Sequence, residues 1–125
     1  NLEDFNNNFK QLFPIEVATD RIKRVLATAA ANGVPDFVAN ARSDPLLHDG
    51  QLSEVIKRSK AYLSAGATTV FVVGSQARGG LSRNQIVELA RVFNGRLNLS
   101  VKLDDRNLTV TELASIGVAR ISLGP

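Results

Sequence analysis

The chain has 125 residues, of which 44% are hydrophobic, so it can form one domain with a buried core but not two. Its 15 basic and 12 acidic residues give a formal charge of +3 and are mixed along the chain, which excludes a nucleic-acid-binding patch. There is no cysteine, no apolar run long enough to span a membrane and no signal-peptide pattern. We therefore expect no disulfides, no membrane partner and a cytoplasmic location, with mitochondria as the alternative.

Two kinds of hydrophobic spacing alternate after a polar lead-in at residues 1–13. Apolar residues recurring every three or four positions predict helices, and short apolar runs predict strands covered on both faces. Glycines follow the helices, and capping boxes at Ser82 and Thr109 open the last two. The predicted elements are a helix from Pro14 to about Gly33, a strand Asp36–Ala41, a helix from about Leu52 to Ala65, a strand Thr68–Val73, a helix from Ser82 to about Asn94, a strand Leu97–Lys102, a short helix ending at Gly117 and a strand Arg120–Leu123.

Strands that alternate with amphipathic helices predict parallel pairing, so the fold class is α/β. Two architectures fit this pattern: an open doubly wound sheet of four strands, or half of a (β/α)₈ TIM barrel. The half-barrel is favoured because no helix follows the fourth strand, and a chain without an initial methionine is expected to be an excised piece. Four apolar strand residues are then expected to face the barrel interior, beside two open sheet edges: Val38, Val70, Val72 and Ile121.

Polar residues cluster where the first predicted strand ends, which is where parallel architectures bind their ligands. Asn40, Arg42, Ser43 and Asp44 are the candidates there. Arg42 is the strongest, because a planar guanidinium can hold a carboxylate or phosphonate with two hydrogen bonds. A structural salt bridge between Arg42 and Asp44 fits the spacing equally well, and Asp44 is interpreted as the partner that orients the arginine.

Weaker candidates follow the other strands. The loop 74–80 could present backbone N–H groups and Arg78 to an anion, although it matches no phosphate-loop fingerprint and could be a mobile polar loop. The weaker anion-binding candidates are Gly74, Ser75, Arg78 and Ser122. Asp104 and Asp105 are interpreted as a solvated turn and His48 as a surface loop residue, so no metal ligand is predicted in this chain.

Three segments resemble the phosphoenolpyruvate mutase/isocitrate lyase superfamily, in particular its carboxyphosphonoenolpyruvate phosphonomutase-like branch. They are the run 40–44, the helix end and strand 61–74, and the ending 108–125. The resemblance covers about residues 14–125 and implies the C-terminal half of the barrel, strands five to eight. It also implies a lyase or mutase that uses Mg²⁺ to make or break a C–C or C–P bond beside a 2-oxo acid, through an enolate-like intermediate.

The same resemblance implies that Arg42 binds the carboxylate or phosphoryl end of a small anionic substrate, with Ser43 in place of the usual threonine. Val73 and the run 99–105 depart from the family pattern. The magnesium ligands are implied to lie in the missing half of the barrel. The isolated chain is therefore expected to be inactive, and to pair with that half or with itself as a homo-oligomer.

Two alternatives remain at this point. A degenerate, non-catalytic half-barrel could survive as an oligomerising or interaction module. A signalling domain of the receiver or flavodoxin type is disfavoured, because the acidic cluster expected after its first strand is absent.

Overall fold

The computed structural model describes residues 1–75, 80–101 and 108–123. Parallel strands and α-helices alternate along most of this length. The elements are β1 (Leu2–Glu3), β2 (Phe5–Asn6), β3 (Gln11–Leu12), α1 (Ile15–Ala31), β4 (Asn40–Ser43), a 3₁₀ helix (Pro45–His48), α2 (Leu52–Ser64), β5 (Thr69–Val72), α3 (Arg83–Val92), β6 (Leu97–Val101), α4 (Val110–Ile116) and β7 (Arg120–Leu123).

One parallel sheet of five strands, in the order β1-β4-β5-β6-β7, organises the structure. Strands β2 and β3 form a separate antiparallel hairpin. The predicted α/β class and the predicted order of helices and strands after the lead-in are confirmed. No helix in the described ranges is long and apolar enough to cross a lipid bilayer.

The sheet contains one strand that hydrophobic spacing did not predict. Strand β1 lies in the lead-in and pairs with β4 in parallel, with Leu2 opposite Ala41 and Glu3 opposite Arg42. The next residue, Asp4, is almost fully buried. Residues 1–13 therefore contribute to the fold instead of only preceding it.

The first predicted strand lies further along the chain than its apolar run suggested. Strand β4 begins at Asn40, whereas Phe37 and Val38 lie in the preceding loop with exposed side chains. The placement of Val38 in the barrel interior is therefore wrong. A short apolar run alone does not distinguish a strand from the loop that leads into it.

One face of the sheet packs against the helices and forms the core. Ala41, Val70 and Leu97 lie side by side across neighbouring strands and are buried with the inner residues of the helices. Val72, Leu99 and Ile121 form a second such row. The expectation that Val70, Val72 and Ile121 face a barrel interior is therefore wrong, because side chains alternate between the two faces and these positions point toward the helices.

The opposite face, called the open face below, carries a polar row. Alternation places on it one register-matched residue from each strand: Glu3, Arg42, Phe71, Asn98 and Arg120. Two of these residues are arginines and one is a carboxylate. The open face is thus chemically distinct from the apolar, helix-covered face.

Candidate anion-binding site

Arg42 lies on the open face near the carboxyl end of β4. Its guanidinium carbon is 6.0 Å from the centroid of the Phe71 ring on the neighbouring strand. The side chain keeps 22% of its surface exposed. The side chain of Arg42 is therefore partly buried against Phe71 and partly exposed.

Two carboxylates hold this guanidinium. Its Nε donates to Asp44 Oδ1 at 2.6 Å, and its Nη1 donates to Glu3 Oε1 at 2.8 Å. Its Nη2 donates no hydrogen bond to any residue in the described ranges, so its N–H groups have no acceptor there. The Arg42–Asp44 pair was one of the two readings that the spacing allowed, whereas the contact with Glu3 was not predicted.

Arg42 and the two carboxylates that hold it, Glu3 and Asp44, are called the clamp below. Asp44 is the buried carboxylate of the clamp. Its side chain is 1% exposed, and burial raises its pKa above the usual value, with the nearby Arg42 acting in the opposite direction. Its backbone N–H donates to Asp4 Oδ1 at 2.9 Å. The position of Asp44 suits it to orient Arg42, because it is fixed through both its backbone and its side chain.

Neither Asn40 nor Ser43 is hydrogen-bonded to the Arg42 guanidinium in the described structure. Asn40 is buried on the open face, where it donates to the Asn1 side chain and accepts from Thr69 Oγ1 at 2.8 Å. Ser43 is fully buried on the helix-covered face, and its Oγ has no hydrogen-bond partner among the described residues. The structure therefore does not bring Ser43 to the same surface as the guanidinium, although the two residues are adjacent in sequence.

Gly74 and Ser75 follow β5 and line an open cleft of about 310 Å³. The Gly80 N–H donates to the Ser75 carbonyl at 2.9 Å, which closes the loop at its base. A Cβ at Gly74 would lie 2.7 Å from the backbone of Gly80, so only glycine fits there. The other lining residues described are Leu46, Gly80, Leu81, Ser82 and Gln85.

The remaining candidates are dispersed. Ser122 donates to Asn98 Oδ1 at 3.1 Å on the open face, away from the Arg42 clamp. His48 is exposed and stacks on Phe5, with ring centroids 3.6 Å apart. Arg78, Lys102, Asp104 and Asp105 lie outside the described residues.

A buried network beneath the clamp was not predicted. Asp4 Oδ2 accepts from the Tyr62 hydroxyl at 2.6 Å and lies 3.7 Å from Arg58 Nη1. Arg58 also donates to Glu54 Oε1 and to the Phe13 carbonyl, each at 2.8 Å. An Arg–Tyr pair four residues apart on a helix was the one local signal, because such residues share a face.

The described residues do not form a metal site. They contain no group of three histidine, aspartate or glutamate side chains that could hold an ion. Of the carboxylates near Arg42, Glu3 is 43% exposed, whereas Asp4 and Asp44 are buried and engaged in hydrogen bonds. A hard cation such as Mg²⁺ needs several oxygen ligands, and Glu3 could supply only one side chain.

Comparison with known proteins agrees with this architecture. The family model described as phosphoenolpyruvate phosphomutase matches residues 1–125. Among curated proteins, 2-methylisocitrate lyase of Bacillus subtilis (strain 168) is 39% identical over 70 residues, which are 56% of this chain and 21% of that protein.

Solved structures extend the likeness to nearly the whole chain. A Burkholderia cenocepacia J2315 protein described as a lyase/mutase has a TM-score of 0.83 and 27% identity, covering 98% of this chain and 43% of that one. The structure of 2,3-dimethylmalate lyase, a member of the PEP mutase/isocitrate lyase superfamily, has a TM-score of 0.78 and 25% identity, covering 98% of this chain and 40% of that one. The structure of phosphonopyruvate hydrolase with oxalate and Mg²⁺ has a TM-score of 0.75 and 25% identity, covering 97% of this chain and 41% of that one. The chain spans less than half the length of each of these relatives.

Proposed function

The chain belongs to the phosphoenolpyruvate phosphomutase family, and from that premise we propose that it is part of a Mg²⁺-dependent lyase or phosphonomutase. The enzyme would make or break a C–C or C–P bond of a 2-oxo acid or phosphonate through an enolate-like intermediate. This chain would supply the wall that binds the anionic end of the substrate. The proposal applies to the larger protein, of which the chain is one part.

The observation that carries the proposal is the clamped guanidinium of Arg42. Two carboxylates fix its orientation through Nε and Nη1, and Nη2, which donates no hydrogen bond within the described ranges, remains for a substrate oxygen. An arginine held in this way can bind a carboxylate or phosphoryl group with little loss of side-chain entropy on binding. Arg42 would thus bind and orient the substrate rather than transfer a proton.

The local charge supports a requirement for a further cation. Arg42 carries one positive charge, whereas Glu3 and Asp44 bring two carboxyl groups to it. An incoming anion would therefore meet insufficient positive charge from these three side chains alone. Bound Mg²⁺ would supply that charge and stabilise the enolate oxygen. We propose that most of its ligands come from outside the described residues.

The same proposal gives a place for each strand. Strands β4 to β7 would be strands five to eight of a (β/α)₈ barrel, and β1 would be the strand before them. The open face would then line the barrel interior, and the missing strands would complete it. The domain would run through residues 14–125 as predicted, with residues 1–13 joined to it through β1.

A second candidate is an oligomerising module, and one observation favours it. Strands β1 and β7 each have one neighbour in the sheet of the described residues, so each leaves an edge open to pairing. The polar open face argues against association driven by apolar barrel-facing residues, which were expected to act together with the open edges. We therefore favour the enzyme.

Titration calorimetry with oxalate tests the proposed role of Arg42, since oxalate is a small dianion that resembles a 2-oxo acid enolate. In the larger protein with Mg²⁺ present, Arg42→Ala is expected to weaken oxalate binding about 10- to 100-fold, because a charge-assisted hydrogen bond is lost. Arg42→Lys is expected to recover only part of the affinity. Arg24→Ala, at an exposed position on α1, is the matched control and should change nothing. Equal affinities in the Arg42 and Arg24 variants would refute the assignment.

A further inference from the structure

We propose that Asp4 and Tyr62 are positioning residues for Arg42, linked to it through Asp44 by a chain of hydrogen bonds, called the Asp4 relay below. The significance of the relay for substrate binding rests on the function proposed above. The geometry of the relay is independent of that function. The relay connects helix α2 to the guanidinium on the open face.

Each link of the relay is a direct contact. The Tyr62 hydroxyl donates to Asp4 Oδ2 at 2.6 Å. The Asp44 N–H donates to Asp4 Oδ1 at 2.9 Å, and Arg42 Nε donates to Asp44 Oδ1 at 2.6 Å. Both oxygens of Asp4 are therefore used, one toward the helix and one toward the end of β4.

Asp4 also fixes the second anchor of the guanidinium. It follows Glu3, whose carboxylate accepts from Arg42 Nη1, and its own carbonyl accepts from the Phe13 N–H at 2.8 Å. A displacement of Asp4 would thus move Glu3 through the backbone and Asp44 through the hydrogen bond. Both groups that orient Arg42 depend on this one residue.

Burial makes the relay stiff. Asp4 and Tyr62 are almost fully buried, so their polar atoms cannot exchange protein partners for water. Arg58 lies beside Asp4 and supplies a compensating positive charge. Burial first, and then the negative charge of Asp4, raise the pKa of Tyr62, so its hydroxyl keeps its proton and remains a donor.

The test is the hydrogen exchange of the Arg42 Nε–H with water, followed by ¹⁵N NMR and assigned by its loss in Arg42→Lys. Tyr62→Phe keeps the shape of the ring and removes the hydroxyl. It is expected to accelerate Nε–H exchange about tenfold and to weaken oxalate binding severalfold, because a hydrogen bond to a charged acceptor is lost. Glu54→Gln alters the Arg58 pair without touching the relay, and it should leave Nε–H exchange unchanged.

A purely structural role for Tyr62 would lower the melting temperature without changing Nε–H exchange in the folded protein, and that result would overturn the proposal. Should Tyr62→Phe fail to fold, Asp4→Asn provides the same readout, because an amide NH₂ in place of Oδ2 cannot accept from the Tyr62 hydroxyl, while the amide oxygen still accepts from the Asp44 N–H. An unchanged exchange rate in Asp4→Asn would likewise count against the relay. If Arg42→Ala leaves oxalate binding intact, the substrate role fails while the exchange measurement still decides the relay.

Discussion

The two carboxylates that hold Arg42 sit in different surroundings. Asp44 is buried, whereas Glu3 is partly exposed to solvent. Burial disfavours the charged form of a carboxylate, because the protein interior solvates that charge less well than water does. Protonation of Asp44 would remove the negative charge that Arg42 Nε contacts.

Asp44 is expected to make stability depend on pH. Its folded-state pKa is raised above 3.8 by burial, so the folded protein holds this proton more tightly than the unfolded chain. The resulting stabilisation is complete below pH 3.8 and is lost as the pH rises through the raised pKa. In urea unfolding from pH 3 to 7, the free energy of unfolding of the wild type should fall, relative to that of Asp44→Asn, across this interval. A constant difference between the two curves would show that Asp44 is not perturbed in this way.

Arg42 and Ser43 show which site features could be predicted from sequence. The ion pair between Arg42 and Asp44 could be predicted as one of two alternatives, because Asp44 directly follows the strand and side chains two positions apart lie on the same side. By the same rule the Ser43 side chain points to the face opposite Arg42. Ser43 was nevertheless included among the substrate-binding candidates, because of the family resemblance. Glu3 could not be predicted, because its contact depends on the pairing of β1 with β4 across 39 positions.

Helices α3 and α4 each begin with a capping box, in which side chains bond the first backbone N–H groups. In α4, Thr109 Oγ1 accepts from the Glu112 N–H at 3.2 Å, and Glu112 Oε2 accepts from the Thr109 N–H at 2.8 Å. A second capping box opens α3. Both were predicted, because a capping box is a local pattern that needs no information from the rest of the fold.

Removal of the α4 cap is expected to destabilise the protein. Thr109→Ala leaves the N-terminal N–H groups of the helix without their side-chain acceptor, which typically costs about 1 kcal/mol. Thr111→Ala, within the same helix and exposed, is the matched control, and it should have little effect or stabilise slightly. Urea unfolding of the two variants gives the comparison. Equal free energies of unfolding would mean that the cap does not stabilise α4.

Strand β1 could not be predicted from the local sequence pattern. It has two residues, far fewer than the periodicity of a strand requires for detection, and its partner β4 lies 39 positions away. Helices α1 to α3 are longer and amphipathic, so their order was predictable. The weakly patterned strand is nevertheless the one that brings Glu3 and Asp4 to the site.

The arrangement as a whole concentrates polar chemistry on one face of a parallel sheet. The helices cover the apolar face, while Arg42, Glu3 and the pair Asn98–Ser122 lie on the open face. The sequence predicted the fold class and the family. It placed apolar strand residues on the wrong face, because short strands covered by helices do not reveal which side is covered.

Turnover of 2-oxo acids and phosphonates in the presence of Mg²⁺ is the most direct measurement. The 125-residue chain alone is expected to show none, because the proposed active site needs the other strands of the barrel. Joined to the strands that complete an eight-stranded barrel, it is expected to turn over one of these substrates and to lose that activity with Arg42→Ala but not with Arg24→Ala. Mg²⁺-dependent turnover by the chain alone, abolished by Arg42→Ala, would contradict the division of the site between this chain and the missing strands.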